Sequence, residues 1–158
     1  MSFVESNKLG KEAEKAFIHY LIDTYDIISL EVSQGKFKDY DIKIITKEWT
    51  VTYEVKSDRR SEDTWNLCIE YMYNGNSSWI YSSKADYIVY YCDMKWWIQD
   101  RWLLLWKIND VEKEMKKWWD NNLSKLFLIK VDKLPELFNQ LDWLPKLTTY
   151  AEITWANT

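Results

Sequence analysis

The chain has 158 residues, of which 47% are hydrophobic and 29% charged, a size and composition that suit one compact domain with a buried core. We therefore expect a single domain over residues 1–158. The net charge of -4 and the pI near 5.1 argue against a protein that holds nucleic acid through a generally basic surface. Two cysteines and one histidine support neither a disulfide framework nor a zinc cluster.

The sequence contains no apolar segment of the kind found in signal peptides or membrane spans. We expect an intracellular, cytoplasmic protein with no membrane contact, in which Cys68 and Cys92 are buried, reduced thiols. Eleven tryptophans is a large number for this length, and we expect them to fill the core and a subunit interface. The alternative is that some of them stack on unpaired bases.

The first predicted element is an amphipathic helix over about residues 6–24. Apolar residues recur there at helical spacing, and Ser6 or Asn7 is placed to cap the helix. Glu12 and Glu14 flank the apolar stripe on opposite sides, so either carboxylate could reach the end of the sheet on which the helix packs.

A β-hairpin is predicted next. Residues 41–45 and 49–56 have the composition of strands, with a break at residues 47–48. A turn centred on that break places Asp41 directly opposite Glu54. Because side chains alternate along a strand, Asp41, Glu54 and Lys56 then lie on one polar face, and the apolar residues of both strands lie on the other.

The two carboxylates of this hairpin would repel each other, since directly opposed residues have Cβ atoms about 5 Å apart. A positive group is therefore expected between Asp41 and Glu54. A hard divalent cation with oxygen ligands, Mg²⁺ or Mn²⁺, is the natural candidate. Lys56 follows on the same face, where it is placed to hold a water or a phosphate oxygen.

The order of these residues resembles the PD-(D/E)XK phosphodiesterases, the family of restriction endonucleases and archaeal-type Holliday junction resolvases. The matching residues are 10–14 in the helix, Asp41 at the start of one strand, and 54–56 (Glu-Val-Lys) on the next. Tyr40 stands where the name of the motif has Pro. Trp79 follows Ser78 at a place where the nucleases that this region resembles often have a small glycine.

The resemblance implies a catalytic set of Glu14, Asp41, Glu54 and Lys56. Glu14 is preferred to Glu12 because it stands four residues after Gly10, as the helix glutamate of the family often does. The implied metal ligands are Asp41, Glu54 and the backbone carbonyl of Val55. The implied fold is α/β (α+β), a restriction-endonuclease-like core whose mixed central sheet is flanked by helices in the order α-β-β-β-(β)-β-α-β.

The rest of the chain alternates between turn signals and strand-like segments. A polar loop at 58–63 carries Arg59 and Arg60, which could hold a phosphate backbone, and Lys84 could point toward the same substrate. In chain order the further predictions are strands at 65–73, 87–92 and 102–108, turns at 74–78 and 93–95, a helix capped by Asn109 and extending to about 119, a strand at 126–131, a short helix at 135–141 and an extended piece at 150–155.

Together these features predict a nuclease that uses Mg²⁺ to activate water and hydrolyses DNA. By resemblance, branched or junction DNA is the first choice of substrate, and the protein is expected to act as a homodimer. The alternative is a non-catalytic module that keeps the nuclease fold and binds nucleic acid or protein. On that interpretation Glu54 and Lys56 are an ordinary pair on a hairpin, and Glu70 on the third strand is either a further acid of the site or an exposed residue.

Overall fold

The computed structural model describes residues 3–34, 39–58, 61–110, 116–120 and 124–142 of the chain. A 3-10 turn at Val131–Lys133 precedes the last helix. The elements in chain order are α1 (Phe3–Thr24), β1 (Ser29–Val32), β2 (Ile42–Ile45), β3 (Thr50–Asp58), α2 (Ser61–Thr64), β4 (Asn66–Tyr73), β5 (Asn76–Ser77), α3 (Trp79–Ser82), β6 (Tyr87–Cys92), β7 (Lys95–Asp100), α4 (Arg101–Asp110), β8 (Lys116–Asp120), β9 (Ser124–Lys130), α5 (Leu134–Leu137) and β10 (Asn139–Leu141).

The central sheet has six strands in the order β1-β2-β3-β6-β7-β10. Its pairs are antiparallel except for β3 and β6, which run parallel, so the sheet is mixed. β6 lies in the middle because residues 87–92 form a continuous apolar run that can be covered on both faces. The predicted mixed central sheet with flanking helices is confirmed, and so is the buried strand at 87–92.

α1 covers one face of this sheet. Its buried residues form the apolar stripe of a helix: Leu9, Ala13, Ala16, Phe17 and Leu21. The two alanines of the stripe allow close approach to the strands. The ring of Phe17 meets the ring of Tyr53 edge-on, with centroids 5.0 Å apart. This layer of the core also contains Ile42, Ile44, Val55, Val89, Tyr91 and Trp96.

A second sheet covers the other face. It has four strands in the order β5-β4-β9-β8, all antiparallel. Leu67 and Ile69 of β4 are fully buried beside Ile88 and Tyr90 of β6, so strand alternation sends successive β6 side chains to different cores. The sequence predicted the strand at 65–73, but nothing local in it indicates that this strand belongs to a separate sheet.

The hairpin of β2 and β3 has the predicted register. Ile42 pairs with Tyr53 and Ile45 pairs with Thr50, which leaves a turn at 46–49. Thr46 closes the turn, because its hydroxyl accepts the backbone N–H groups of the two residues before Thr50. The predicted turn at 93–95 is also present, as a tight connection between β6 and β7 with positive φ at Asp93 and Met94.

The strand predicted at 102–108 is wrong, because this segment is the helix α4. Leu104 and Ile108 are buried at helical spacing, and Trp102 and Trp106 are exposed on the opposite side. Asp100 supplies the start signal that the sequence interpretation missed, since its Oδ1 accepts the backbone N–H of Leu103 at 2.9 Å. A dense apolar run was taken for a strand although its period is that of a helix.

The helix predicted from Asn109 to about 119 is wrong over its second half. Asn109 lies at the end of α4, and residues 116–120 form β8, which pairs with β9 along its whole length. Pairing with β9, the next strand along the chain, overrides the helix-like charge pattern. Residues 111–115 lie outside the described residues.

The remaining outcomes concern the end of the chain, the cysteines and membrane spans. The strand at 126–131 is confirmed as β9, whereas the helix at 135–141 ends at Leu137 and is followed by β10. The piece at 150–155 lies outside the described residues. Neither Cys68 nor Cys92 is in a disulfide; Cys92 is buried as predicted, whereas Cys68 is only half-buried. Among the helices of the described ranges, none is long and apolar enough to cross a membrane.

Candidate active site

Asp41 lies at the start of β2, against the backbone of β3. Its own N–H donates to the carbonyl of Tyr53 at 2.9 Å, and its Oδ2 accepts the N–H of Val55 at 2.7 Å. These two contacts are on either side of Glu54 in the sequence of β3. Asp41 is only 3% exposed, so its carboxylate is fixed by a short hydrogen bond at a buried position.

The backbone of Val55 presents its carbonyl to the same side as its N–H. In a β-strand both polar groups of one residue point to the same neighbouring strand, and the N–H of Val55 points toward Asp41. The Val55 carbonyl therefore points to the β2 side of β3, toward the segment that precedes Ile42. Alternation along β3 directs the side chain of Val55 into the α1 core and those of Glu54 and Lys56 to the opposite face.

Glu54 and Lys56 form an ion pair on that opposite face. The distance from Lys56 Nζ to Glu54 Oε1 is 3.2 Å. Glu54 is only 5% exposed, and the hydroxyl of Ser83 donates to its second oxygen, Oε2, at 3.3 Å. Lys56 Nζ also lies 4.9 Å from the centroid of the Trp79 ring, a cation–π contact. Both oxygens of the carboxylate and the ammonium are therefore held in place.

A polar cleft of about 580 Å³ opens beside this pair. One wall is the end of β3, and the other is formed by β4, β5 and α3, which belong to the connection between β3 and β6. Glu70 of β4 lines the cleft, and the hydroxyl of Ser78 donates to its Oε1. The lining residues are Asp39, Glu54, Lys56, Glu70, Tyr73, Asn76, Ser77, Ser78, Trp79, Ser82 and Ser83.

Glu14 lies on α1, on the other side of the sheet from Glu54 and Lys56. The ring contacts of Phe17 with Tyr53 and of Tyr25 with Trp49 show that α1 runs antiparallel to β3. With a rise of about 1.5 Å per residue in a helix and about 3.3 Å in a strand, Glu14 is level with residues 54–55. Glu12 and Glu14 are both half-buried. The role of Glu14 stays a prediction.

Three cations were predicted to hold DNA: Lys84, Arg59 and Arg60. Lys84 is exposed at the rim of the cleft, where its Nζ lies 3.9 Å from Asp39 Oδ1. Its backbone N–H also donates to the Asp39 carbonyl at 2.9 Å. Arg59 and Arg60 lie outside the described residues.

The donor set around Asp41 and Glu54 fits a hard divalent cation. It consists of oxygen atoms alone, as Mg²⁺ and Mn²⁺ prefer. In the part of the chain that the structure describes, no group of three or more His, Cys, Asp or Glu side chains is gathered to hold a metal ion. Mg²⁺ is ordinarily bound by one or two carboxylates together with water and substrate phosphate, so a site of this kind needs no third carboxylate.

Sequence reasoning missed part of this site. Ser83 and Trp79 contact Glu54 and Lys56, and Tyr73 lines the cleft, yet none of them was singled out as a functional residue. A signal existed in the run of four serines between residues 77 and 83, which precedes the buried strand β6. It could not be used without knowing that β6 pairs in parallel with β3, with Ile88 beside Glu54.

No protein-family model matches the chain, and no curated protein sequence matches it significantly. Two of the solved structures that are similar to it over most of its length are nucleases. One is the bacterial homing endonuclease I-Ssp6803I, with 17% sequence identity, a TM-score of 0.46 and coverage of 77% of this chain and 72% of that chain. The other is the Holliday junction resolvase Hjc from Archaeoglobus fulgidus, with 13% identity, a TM-score of 0.47 and coverage of 84% of this chain and 92% of that chain.

Proposed function

We propose that this chain is a metal-dependent endonuclease that hydrolyses phosphodiester bonds in DNA with water activated by Mg²⁺ or Mn²⁺. The observation that carries the proposal is the Glu54–Lys56 pair, which is held at a polar cleft while Asp41 is bound to the backbone beside it. A phosphodiester resists hydrolysis because it is an anion attacked by a poor nucleophile. A site for this reaction needs positive charge at the phosphate and a means of activating water.

The proposed metal ligands are Asp41, Glu54 and the backbone carbonyl of Val55. A divalent cation bound there would offset the charge of the scissile phosphate and make a bound water more acidic. The hydrogen bond from the Val55 N–H orients the Asp41 carboxylate, and the hydroxyl of Ser83 orients that of Glu54. Such partners fix the direction in which a ligand presents its oxygen.

Lys56 adds a positive charge from the chain itself to that of the metal ion. Its ammonium has three donors, of which one is directed to Glu54, so others can reach a phosphate oxygen or the attacking water. The Trp79 ring supports the ammonium from a second side. In this proposal Glu14 completes the outer shell of the metal site or binds a second metal, and Arg59, Arg60 and Lys84 hold the DNA backbone near the cleft.

A branched substrate and a homodimer are the finer parts of the proposal. Both rest on the resemblance of residues 41–56 to the PD-(D/E)XK motif. The exposure of two large apolar side chains on α4, Trp102 and Trp106, also favours a second copy, because such side chains are usually covered. Sedimentation of the protein at several concentrations, with and without a four-way DNA junction, tests both parts.

The test of the activity is Mg²⁺-dependent cleavage by the wild type and by Glu54→Gln. The substitution keeps the shape of the side chain and removes the charge that binds a cation, so we expect cleavage to be lost while DNA binding is retained. The matched control is Glu136→Gln on α5, where the glutamate is exposed and pairs with Lys133. It should cleave like the wild type.

The competing function is a non-catalytic module that keeps the fold and binds nucleic acid or protein. Glu54 and Lys56 would then be a structural ion pair. Binding of DNA with no cleavage of branched, single-stranded or duplex DNA, in Mg²⁺ or in Mn²⁺, would support that alternative and overturn the nuclease.

A further inference from the structure

The walls of the polar cleft carry more negative than positive charge. Among the lining residues that the structure describes, Asp39, Glu54 and Glu70 are acidic and Lys56 is the one cation. A DNA duplex brings two phosphate backbones and is held by many cationic contacts. With Lys56 and a divalent cation at Glu54, these described walls offset the charge of a small number of phosphates, which suits one strand better than two.

The cleft also presents aromatic rings. Tyr73 lines it and is 52% exposed at the end of β4, whose other residues are buried or half-buried. Trp79 lines it as well, and Lys56 lies over its ring. Exposed rings are stacking surfaces for nucleic-acid bases, which become available only when a base is unpaired. The phosphate-directed residue and the base-directed residues thus share one cleft.

The turn between β4 and β5 fixes Tyr73 beside an amide. Asn74 and Gly75 have φ values of 48° and 80°, the left-handed geometry of a tight hairpin turn, and Tyr73 is the Cα partner of Asn76. The Asn76 amide lines the cleft and can both donate to and accept from the edge of a base. A ring and an amide that oppose each other on paired strands form a contact set for one base, in a cleft of about 580 Å³ that has room for a nucleotide.

We propose that the cleft binds an unpaired nucleotide of the DNA substrate, with Tyr73 stacked on its base and Glu54 and Lys56 at its phosphate. This inference rests on the proposed nuclease function and names its substrate class. The preferred substrates are single strands, flaps and unpaired nucleotides at branch points. Tyr73 is a specificity-determining residue that contacts the base and takes no part in the reaction at phosphorus.

The experiment compares cleavage of one DNA sequence presented as a single strand, as a paired duplex, and as a duplex with a short unpaired bulge. The wild type should prefer the single strand and the bulge. Tyr73→Ala should lower kcat/KM for those two substrates about tenfold to a hundredfold, the range expected for loss of one aromatic–base stack. Tyr73→Phe should restore most of this loss, because stacking needs the ring and not the hydroxyl.

Trp65→Ala is the matched control. Trp65 is an aromatic residue that is more exposed than Tyr73, at 69%. It directly precedes β4, so it lies at the opposite end of that strand from Tyr73, and it does not line the cleft. It should leave the substrate preference unchanged. A parallel measurement uses a fluorescent single-stranded oligonucleotide with EDTA present, so that binding through Tyr73 is read without cleavage.

The two readouts separate failure of this inference from failure of the proposed function. If DNA is cleaved but duplex is preferred, or Tyr73→Ala matches the wild type on all substrates, the inference is wrong and the nuclease stands. If no DNA is cleaved but the oligonucleotide binds and Tyr73→Ala weakens that binding at least tenfold, the inference stands and the nuclease is wrong. The absence of both cleavage and binding overturns both.

Discussion

The two faces of the central sheet differ in chemistry although the same strand, β3, contributes to both. Toward α1 it presents Tyr53 and Val55, which belong to an apolar core. That side has a cleft of about 380 Å³ lined largely by aromatic and aliphatic residues, among them Trp49. Toward the second sheet β3 presents Glu54 and Lys56 at the polar cleft. One strand can therefore serve stability and chemistry at once, because successive side chains are separated by the sheet itself.

The α1 face should dominate stability. Phe17 is fully buried there and contacts Tyr53, so Phe17→Ala leaves a cavity that the packed sheet cannot fill. We expect the free energy of unfolding to fall by about 3–5 kcal/mol. Urea denaturation measures it. The control is Ile22→Ala on the same helix, 54% exposed, which should change the free energy by less than about 0.5 kcal/mol. Similar losses in both variants would contradict the assignment of this face as a packed core.

The opposite face should dominate activity. Lys56→Gln removes the ammonium that we assign to the phosphate, and kcat/KM should fall about 100-fold to 1,000-fold. Tyr53→Phe alters a residue three positions earlier on the same strand, but on the α1 face, and should leave kcat/KM unchanged within error. Steady-state cleavage assays in Mg²⁺ measure both. Equal losses would mean that the two faces are not separated in function.

Two buried ionisable side chains of β6, Cys92 and Tyr90, should make the protein less stable at alkaline pH. Burial, with nearby Asp58 adding to it, raises the pKa of the Cys92 thiol to about 12 from 9.0. Above pH 9 the unfolded chain loses this proton and the native protein keeps it. Stability is therefore complete below pH 9 and falls from there toward pH 12, by about 1.4 kcal/mol per pH unit for one such group. Burial also raises the pKa of Tyr90, which adds to the fall above pH 10.

Urea titrations at pH 8, 9 and 10 test this dependence on pH. Cys92→Ala should show a shallower fall between pH 9 and pH 10 than the wild type, whatever its stability at pH 8. Parallel curves for the two proteins would show that the Cys92 thiol does not retain its proton in the native state.

The smallest effect is expected at the rim. Lys84 and Asp39 form an ion pair at 3.9 Å, with side chains 74% and 60% exposed. A double-mutant cycle with Lys84→Ala and Asp39→Ala should give a coupling free energy under about 0.5 kcal/mol, because solvent and salt screen such pairs. A coupling above about 1 kcal/mol would indicate that the rim is as rigid as the pair of Glu54 and Lys56.

The parts of the fold that the sequence predicted correctly depend on local signals. The β2–β3 register follows from a short turn and strict alternation, and β6 follows from an uninterrupted apolar run. Asp41, Glu54 and Lys56 could be singled out for the same reason, since one hairpin brings all three together. α4 was mistaken for a strand because its apolar content is high on both sides, with Trp102 and Leu103 exposed.

The parts that could not be predicted depend on distant contacts. Ser83 reaches Glu54 from 29 residues away, and β4 pairs with β9, which lies much later in the chain. Whether β4 joins the central sheet or a second one is decided by which apolar face covers β6, a choice that composition does not encode. The position of Tyr73 in the cleft depends on the same choice, because Tyr73 is the last residue of β4.

The parallel pairing of β3 with β6 has a consequence for how this protein could diversify. A parallel pair needs a long connection, and here the segment between Asp58 and Tyr87 contains β4, β5 and α3. One wall of the polar cleft is thus formed by this connection, while Glu54 and Lys56 lie on a strand of the central sheet. Insertions or replacements in this connection could change the substrate preference without disturbing Glu54 and Lys56, because connecting segments tolerate more change than the strands they join.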